Sequence, residues 1–332
     1  MTLALEGVLR ERLSRLVDAE LRACEAAISR ELRSSAIPLV REVAEHVAFA
    51  GGKRLRPILV LLGAALGTDP GHRAVRLGCV VELLHTATLI HDDVVDQAPL
   101  RRGRPSAPAR WGVDASVLVG DHLYSRCMAL LVRDGDLEVM DALAAAMVSM
   151  TEAEVFQLER KRAGELSEAD YLRIIRQKTA TFMSACCRIG GLAGGLASEA
   201  VEALATYGER IGIAFQIIDD SLDFAADPAR LGKAIGHDLV EGKRTLPLIV
   251  TLDRATAEER ARILEALGRP GLQEMDVAEV HRLVKVYDGV GHAVRRASAF
   301  AESGVADLAR LPAGEARELL ALLAEYVIHR DR

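Results

Sequence analysis

The sequence predicts an all-α fold, and three observations carry the prediction. Aromatic residues make up only 4% of the 332 residues, while Ala, Leu, Glu and Arg are abundant. That balance favours helices, because strands draw on aromatic and β-branched side chains. No proline occurs from Ala109 to Asp227, and so long a proline-free stretch with apolar residues at helical spacing reads as consecutive long helices. Nowhere does the chain alternate apolar and polar residues between turn signals, and no fixed-period repeat is found. In chain order, Leu77–Asp96, Leu137–Arg162 and Glu199–Phe224 are predicted helices. Ser167 with Asp170 starts another in capping-box style, and Ala255–Leu267 and Gly291–Arg332 are predicted helical. Half the residues are hydrophobic, enough for a sizeable core. Without a convincing linker, residues 1–332 read as a single domain.

Composition also excludes function classes. The formal charge of -6 argues against a nucleic-acid partner. Leu77–Ile90 comes closest to a membrane span, but Glu82 interrupts it. Met1–Leu16 mixes apolar and charged residues and lacks the apolar centre of a secretion signal, so a cytoplasmic location is expected. Five scattered cysteines without a C-x-x-C pair suit buried thiols better than a disulfide framework or a zinc ribbon.

Chemistry concentrates in two acidic motifs. His91-Asp92-Asp93-Val94-Val95-Asp96 closes a very apolar predicted helix. Asp92 and Asp96 stand four residues apart, so both carboxylates leave one helix face about one turn from each other. Their repulsion and the helix dipole both disfavour acids at that end. A solvated helix end would tolerate them, and so would a hard divalent cation such as Mg²⁺. The motif recurs at Asp219-Asp220-Ser221-Leu222-Asp223, again after an apolar run. Two such sites on separate helices facing one cavity suit a cluster of Mg²⁺ ions better than a surface patch does.

Basic groups accompany the acids. Gly51-Gly52-Lys53-Arg54-Leu55-Arg56-Pro57 opens a predicted helix, where glycines, cations and the helix N-terminus together suit an anion. Arg101-Arg102-Gly103-Arg104-Pro105 closely follows the first motif, and Lys178-Thr179, Lys233 and Lys243 add charge. Between Phe224 and Leu246 a loop punctuated by Gly232, Gly236 and Gly242 is either a solvated surface segment or functional. Acids and bases alternating around a cavity match two diphosphates with their metals.

These segments (Gly51–Pro57, His85 to Asp96, Arg101–Gly103, Lys178-Thr179, Phe215–Asp223 and Gly232–Pro247) resemble the trans-isoprenyl diphosphate synthases, or polyprenyl synthetases. The resemblance runs from about Ala50 to Pro247 and continues toward Tyr326–Arg330. It implies an isoprenoid-synthase-type helical bundle around a central cavity. It further implies Mg²⁺-dependent, head-to-tail condensation of isopentenyl diphosphate with an allylic diphosphate. By this resemblance Asp92, Asp96, Asp219 and Asp223 hold Mg²⁺, with Asp93 and Asp220 contributing less. Arg101, Lys178 and Lys243 neutralise the leaving diphosphate, with Lys233 nearby. Lys53, Arg56, His85 and Arg102 hold isopentenyl diphosphate, and Thr179 and Gln216 are polar contacts on the allylic side. His85 read without the family is equally a core histidine.

In this family, bulky aromatics at the fourth and fifth residues before the first aspartate stop chain growth early. Here Thr88 and Ala87 are small. With Glu82–Thr88 and Ser116–Asp121 they look most like the long-chain, octaprenyl- or solanesyl-type members, and Tyr124 and Met128 are candidates for the tunnel floor. Ala234 and His237 depart from the usual residues without removing a ligand. A homodimer and transient membrane association for product release are expectations of the same resemblance. Three other readings compete with it. A terpene cyclase would carry a different second metal motif, and a di-iron bundle would need two Glu-x-x-His motifs where only Glu82-x-x-His85 occurs. A silent subunit of a heteromeric synthase would typically have lost an acidic motif, and both are complete here. A short-chain farnesyl or geranylgeranyl synthase remains the enzymatic alternative.

Overall fold

A computed structural model describes residues 2–68, 71–225, 237–269 and 271–330. The principal helices are α1 (Thr2–Arg33), α2 (Pro38–Ala48), α3 (Leu55–Ala65), α4 (Gly71–Val95), α5 (Ala107–Trp111), α6 (Val113–Asp134), α7 (Leu137–Ala163), α8 (Glu168–Ile175), α9 (Thr181–Ala193) and α10 (Ser198–Ala225). Shorter helices follow at His237–Val240, Leu246–Arg254, Ala257–Ala266 and Glu274–Val286, and then the longer Gly289–Asp307 and Glu315–His329. Helix α10 is central, lying against α9 and Gly289–Asp307, while α4 packs on α3 and α6.

Local chemistry explains most of the boundaries. Asp136 caps α7, its carboxylate accepting from the Glu138 and Val139 amides. Gly164, with φ 73°, ends that helix. The expected capping box of Ser167 and Asp170 opens α8. Helix α4 begins six residues earlier than the apolar run suggests. At its far end Gln97 takes φ 49° and Pro99 follows. By length and composition α4 would cross a membrane, yet 67% of its apolar window is buried inside the protein. It is a core helix.

One expectation is refined and one corrected. The predicted helical stretch Gly291–Arg332 is filled by two helices, parted between Asp307 and Glu315, where Leu308–Arg310 tightens to a 3-10 turn and Pro312 and Gly314 follow. Proline cannot continue the ladder, and Gly314 takes φ 149°. The chain also contains a small antiparallel ladder, Leu100–Arg101 with Arg104–Pro105. Its two-residue turn is Arg102-Gly103, both at positive φ (51° and 73°), the geometry of the tightest hairpins. Two-residue strands are too short to show alternation.

The main core runs from α1 through α10 to Glu315–His329 and includes Tyr207, Phe182, Leu59 and Ile90. A second cluster, with Leu239, Leu248, Ile263 and Leu283, ties the helices after residue 237 together. All five cysteines are buried and unpaired.

Candidate active site

The first acidic motif lies at the exit of α4. The Asp96 amide still donates to the Asp92 carbonyl at 2.8 Å, so the helical turn carrying both carboxylates is continuous. Asp92 is half-buried. Burial, with Glu154 and Asp96 close by, outweighs the pull of Lys178 and Arg101 and raises its pKa to about 6. Asp93 is fully buried and turned elsewhere: its Oδ1 accepts from Arg101 Nε at 2.6 Å. That bond ties the Arg101 hairpin to α4.

The second motif ends α10. Asp219 is the exposed member, and its Oδ1 accepts from Arg330 at 2.8 Å. Asp220 accepts from Tyr171 Oη at 2.7 Å and from Gln216 Nε2 at 2.8 Å. Even so, burial pushes its pKa up to about 6. Asp223 accepts the Asp238 amide at 3.1 Å. Asp238 is driven up to about 8 by burial and then by Asp220 and Asp223.

Lys178 attends the first motif, and Lys243 stands near both. Lys178 pairs with Glu154, and Glu154, Asp92 and Asp96 together overcome the cost of its burial and raise its pKa. Lys243 pairs with Glu241 at 2.5 Å and lies in the fields of Asp96 and Asp238, which likewise raise it against burial. Lys243 lies in the field of Asp96 and acts in turn on Asp220, so the two acidic motifs come near one another around it. Lys178 and Thr179 stand on a π-helical turn, Arg176–Ala180, the kind of turn that often marks functional sites. The turn presses on α10 so closely that a methyl group at Gly212 would lie 2.5 Å from the Ala180 Cα. Thr179 Oγ1 meets Gln216 Oε1 at 2.9 Å.

The basic groups gather on the other side. Arg54 takes the left-handed conformation (φ 49°) as α3 begins. Its guanidinium binds Glu82 at 2.5 Å and the Ala48 carbonyl at 3.0 Å. Arg56 lies against Phe182, and its buried Nε has no partner. His85 Nδ1 is equally buried and unpartnered. Burial first, and then Arg56, Arg102, Arg101 and Arg54, hold the His85 pKa well below the usual value, so the ring is neutral. Arg102 is depressed too, by burial and then Arg101. Its guanidinium fits against Gly52, where a methyl group would stand 3.0 Å from Nη1. Lys53 lies over the Tyr326 ring. The unpartnered buried Nε of Arg56 among these concentrated cations favours an anion at this place.

Sequence reasoning missed several participants. Glu82 left a signal, as the one acid interrupting an apolar run. Arg330 closes the segment to which the resemblance extends, whereas Glu154 and Tyr171 left no signal, because each meets the site only through tertiary packing. Arg330 is buried, stacks on Phe215 at 3.8 Å and binds its carbonyl. Lys233, Gly232, Ala234 and Gly236 lie outside the described residues. Ala87 is buried, and the hydroxyl of Thr88 folds back onto the His85 carbonyl. Tyr124 and Met128 do not close a tunnel within the single chain: they stand 38% and 37% exposed on α6.

The polyprenyl synthetase family model matches residues 37–284. The chain belongs to the polyprenyl synthetase family. It is 35% identical over 322 residues to the octaprenyl diphosphate synthase of Escherichia coli (strain K12), covering 97% of this chain and 99% of that one. It is 37% identical over 292 residues to the short chain isoprenyl diphosphate synthase of Methanothermobacter thermautotrophicus, covering 86% and 89%. A polyprenyl synthase structure from Caulobacter crescentus CB15, complexed with calcium and isoprenyl diphosphate, matches with a TM-score of 0.91. Its identity is 37%, over 97% of this chain and 98% of that one.

The family's chemistry uses a divalent metal, and the residues present fit one. The donors are all carboxylate oxygens, as hard cations prefer. Asp92, raised by burial and by neighbouring acids, would be relieved by an adjacent cation. Among the described residues no three Asp, Glu, His or Cys side chains form a metal cage. Carboxylate pairs completed by substrate oxygens are the usual Mg²⁺ arrangement.

Proposed function

We propose that this polyprenyl synthetase is a Mg²⁺-dependent trans-polyprenyl diphosphate synthase that condenses isopentenyl diphosphate onto a geranyl- or farnesyl-type allylic diphosphate and makes a long-chain product. The observation that carries the reading is that two acidic motifs come together around Lys243, with Lys178 beside the first, near a cluster of cations that includes the unpartnered buried Nε of Arg56. One diphosphate belongs with the acids and their metals, the other with Lys53, Arg56, His85 and Arg102.

Asp92, Asp96, Asp219 and Asp223 would hold Mg²⁺, which when bound supplies charge neutralisation at the allylic diphosphate. Arg101, Lys178 and Lys243 stabilise the negative charge that grows on the diphosphate as the allylic carbon–oxygen bond breaks. Lys178 exchanges its Glu154 contact for that charge. The cation cluster holds isopentenyl diphosphate with its double bond toward the allylic carbon. The double bond attacks, one carbon–carbon bond forms, and the proton lost from the new chain goes to the released diphosphate. Thr179 and Gln216 line the polar side of the reacting carbon, and the apolar helices exclude water. His85, neutral, contributes a directed hydrogen bond rather than charge.

Chain length rests on Ala87 and Thr88, since both a long-chain and a short-chain relative are similarly close. Small side chains at these two positions, in place of bulky aromatics, are what supports the long-chain reading. A homodimer is supported by the apolar residues α6 and α7 expose, including Leu118 and Leu137. Tyr124 and Met128 lie on that same α6 surface, where a second copy would cover them. Release of a long product at a membrane surface follows from its insolubility.

The test is incubation with isopentenyl and farnesyl diphosphates, with Mg²⁺ or chelator, and sizing of the dephosphorylated product by mass spectrometry. A Mg²⁺-dependent product longer than geranylgeranyl is expected. A product stopping at geranylgeranyl overturns the chain-length argument, and no elongation from any allylic primer overturns the synthase.

A further inference from the structure

We propose that Asp220 and Tyr171 are positioning residues that set the hydrogen-bond polarity of Gln216 and Thr179, so that the Thr179 hydroxyl meets the substrate only as an acceptor. The inference deepens the synthase reading and rests on it. The middle aspartate of the second motif does not share the surroundings of Asp219 and Asp223. Both of its oxygens are engaged, Oδ2 by Tyr171 Oη at 2.7 Å and Oδ1 by Gln216 Nε2 at 2.8 Å.

The polarity follows from chemistry alone. A carboxylate only accepts, so the Gln216 amide must present its NH₂ to Asp220. Its oxygen then faces Thr179 at 2.9 Å. An amide oxygen only accepts, so Thr179 must spend its single proton on Gln216. What remains of the hydroxyl is lone pairs. Thr179 stands on the π-helical turn and Gln216 on α10, and the synthase reading places both on the allylic side, so those lone pairs are what the substrate meets there. An oxygen fixed as an acceptor stabilises positive charge on the carbon losing its diphosphate, and it offers no proton that could compete for the leaving group. Tyr171 lies on α8 and Asp220 on α10, so the device joins elements on both sides of the π-helical turn that carries Thr179.

The test compares Asp220→Asn, Tyr171→Phe, Thr179→Val and the Asp220→Asn/Thr179→Val double variant with Asp219→Asn and Asp223→Asn. Readouts are kcat, both KM values, and Mn²⁺ affinity by electron paramagnetic resonance on enzyme without substrate. Asparagine at 220 can offer either group to Gln216, so the amide loses its fixed direction. Asp220→Asn is expected to lower kcat about tenfold or more, the scale of a lost preorganised dipole, with KM for isopentenyl diphosphate little changed. Mn²⁺ affinity should stay near that of the unsubstituted protein, and Thr179→Val should add no further loss in the Asp220→Asn background. Tyr171→Phe, which preserves volume, should lower kcat in the same direction if Asp220→Asn fails to fold. Mn²⁺ affinity falling as far in Asp220→Asn as in Asp219→Asn would make Asp220 a ligand and overturn the proposal. Independent, multiplying losses from Asp220→Asn and Thr179→Val, or an unchanged kcat in Tyr171→Phe, would also overturn it. Turnover by the unsubstituted protein tests the synthase reading separately, so failure of one is distinguishable from failure of the other.

Discussion

Replacing Glu82 with leucine isolates the ion pair that holds the entrance of α3. The Glu82 side chain is 8% exposed and that of Arg54 is 11%, and their atoms meet at 2.5 Å. Removing one partner of such a buried pair strands the other charge, which costs about 3–5 kcal/mol. Arg54 keeps the Ala48 carbonyl at 3.0 Å and stands 3.5 Å from Glu25, so the low end applies, about 3 kcal/mol. For a chain of 332 residues that corresponds to a fall in Tm of about 4 °C. Arg54→Met strands the Glu82 carboxylate in the same way and should cost a similar amount, about 3 kcal/mol. The double variant should recover most of the loss, since a buried pair replaced by apolar groups is often near neutral. The assay is thermal and urea denaturation followed by far-UV circular dichroism on both single variants and the double. A Glu82→Leu loss under about 1 kcal/mol, or additive singles, would refute the assignment of a structural ion pair here. Kinetics add a second check. Arg54 borders the pocket of Arg56, His85 and Arg102, so Glu82→Leu should raise KM for isopentenyl diphosphate more than for the allylic substrate.

Other outcomes follow from the same geometry. Gly212→Ala places a methyl group 2.5 Å from the Ala180 Cα; a stability loss of about 1–3 kcal/mol is expected by denaturation, together with a drop in kcat as the Lys178-Thr179 turn moves. Ala87→Phe fills a buried position and should shorten the product, read by mass spectrometry, while early condensations persist. His85 supplies a pH test. Its folded pKa lies well below 6.5, so below pH 6.5 the unfolded chain binds a proton that the folded one refuses. Stability is therefore fully present above the unfolded pKa and is lost progressively as pH falls below it toward the folded value. His85→Gln should flatten that part of the stability profile, measured by urea denaturation at stepped pH.

Helical class was legible because low aromatic content and the proline-free centre act through local propensity. Helix α7 matched its predicted span within a residue, since Asp136 and Gly164 signal its ends chemically. The position of the break before Glu315 was not legible, because apolar spacing persists across Pro312. The hairpin at Arg101 was missed because two-residue strands carry no period.

The acidic and basic motifs announced a diphosphate and metal chemistry from sequence alone, because repeated like charges beside apolar runs demand a counter-charge that a chain rarely leaves to solvent. Their number and order also placed the chain in its family. What each residue touches was decided only by the fold. Asp93 and Asp220 look equivalent to their neighbours in sequence, yet one holds Arg101 and the other holds Tyr171 and Gln216. Successive residues on a helix point about 100° apart, so adjacent aspartates must face different neighbours, and helix packing alone determines which neighbours those are.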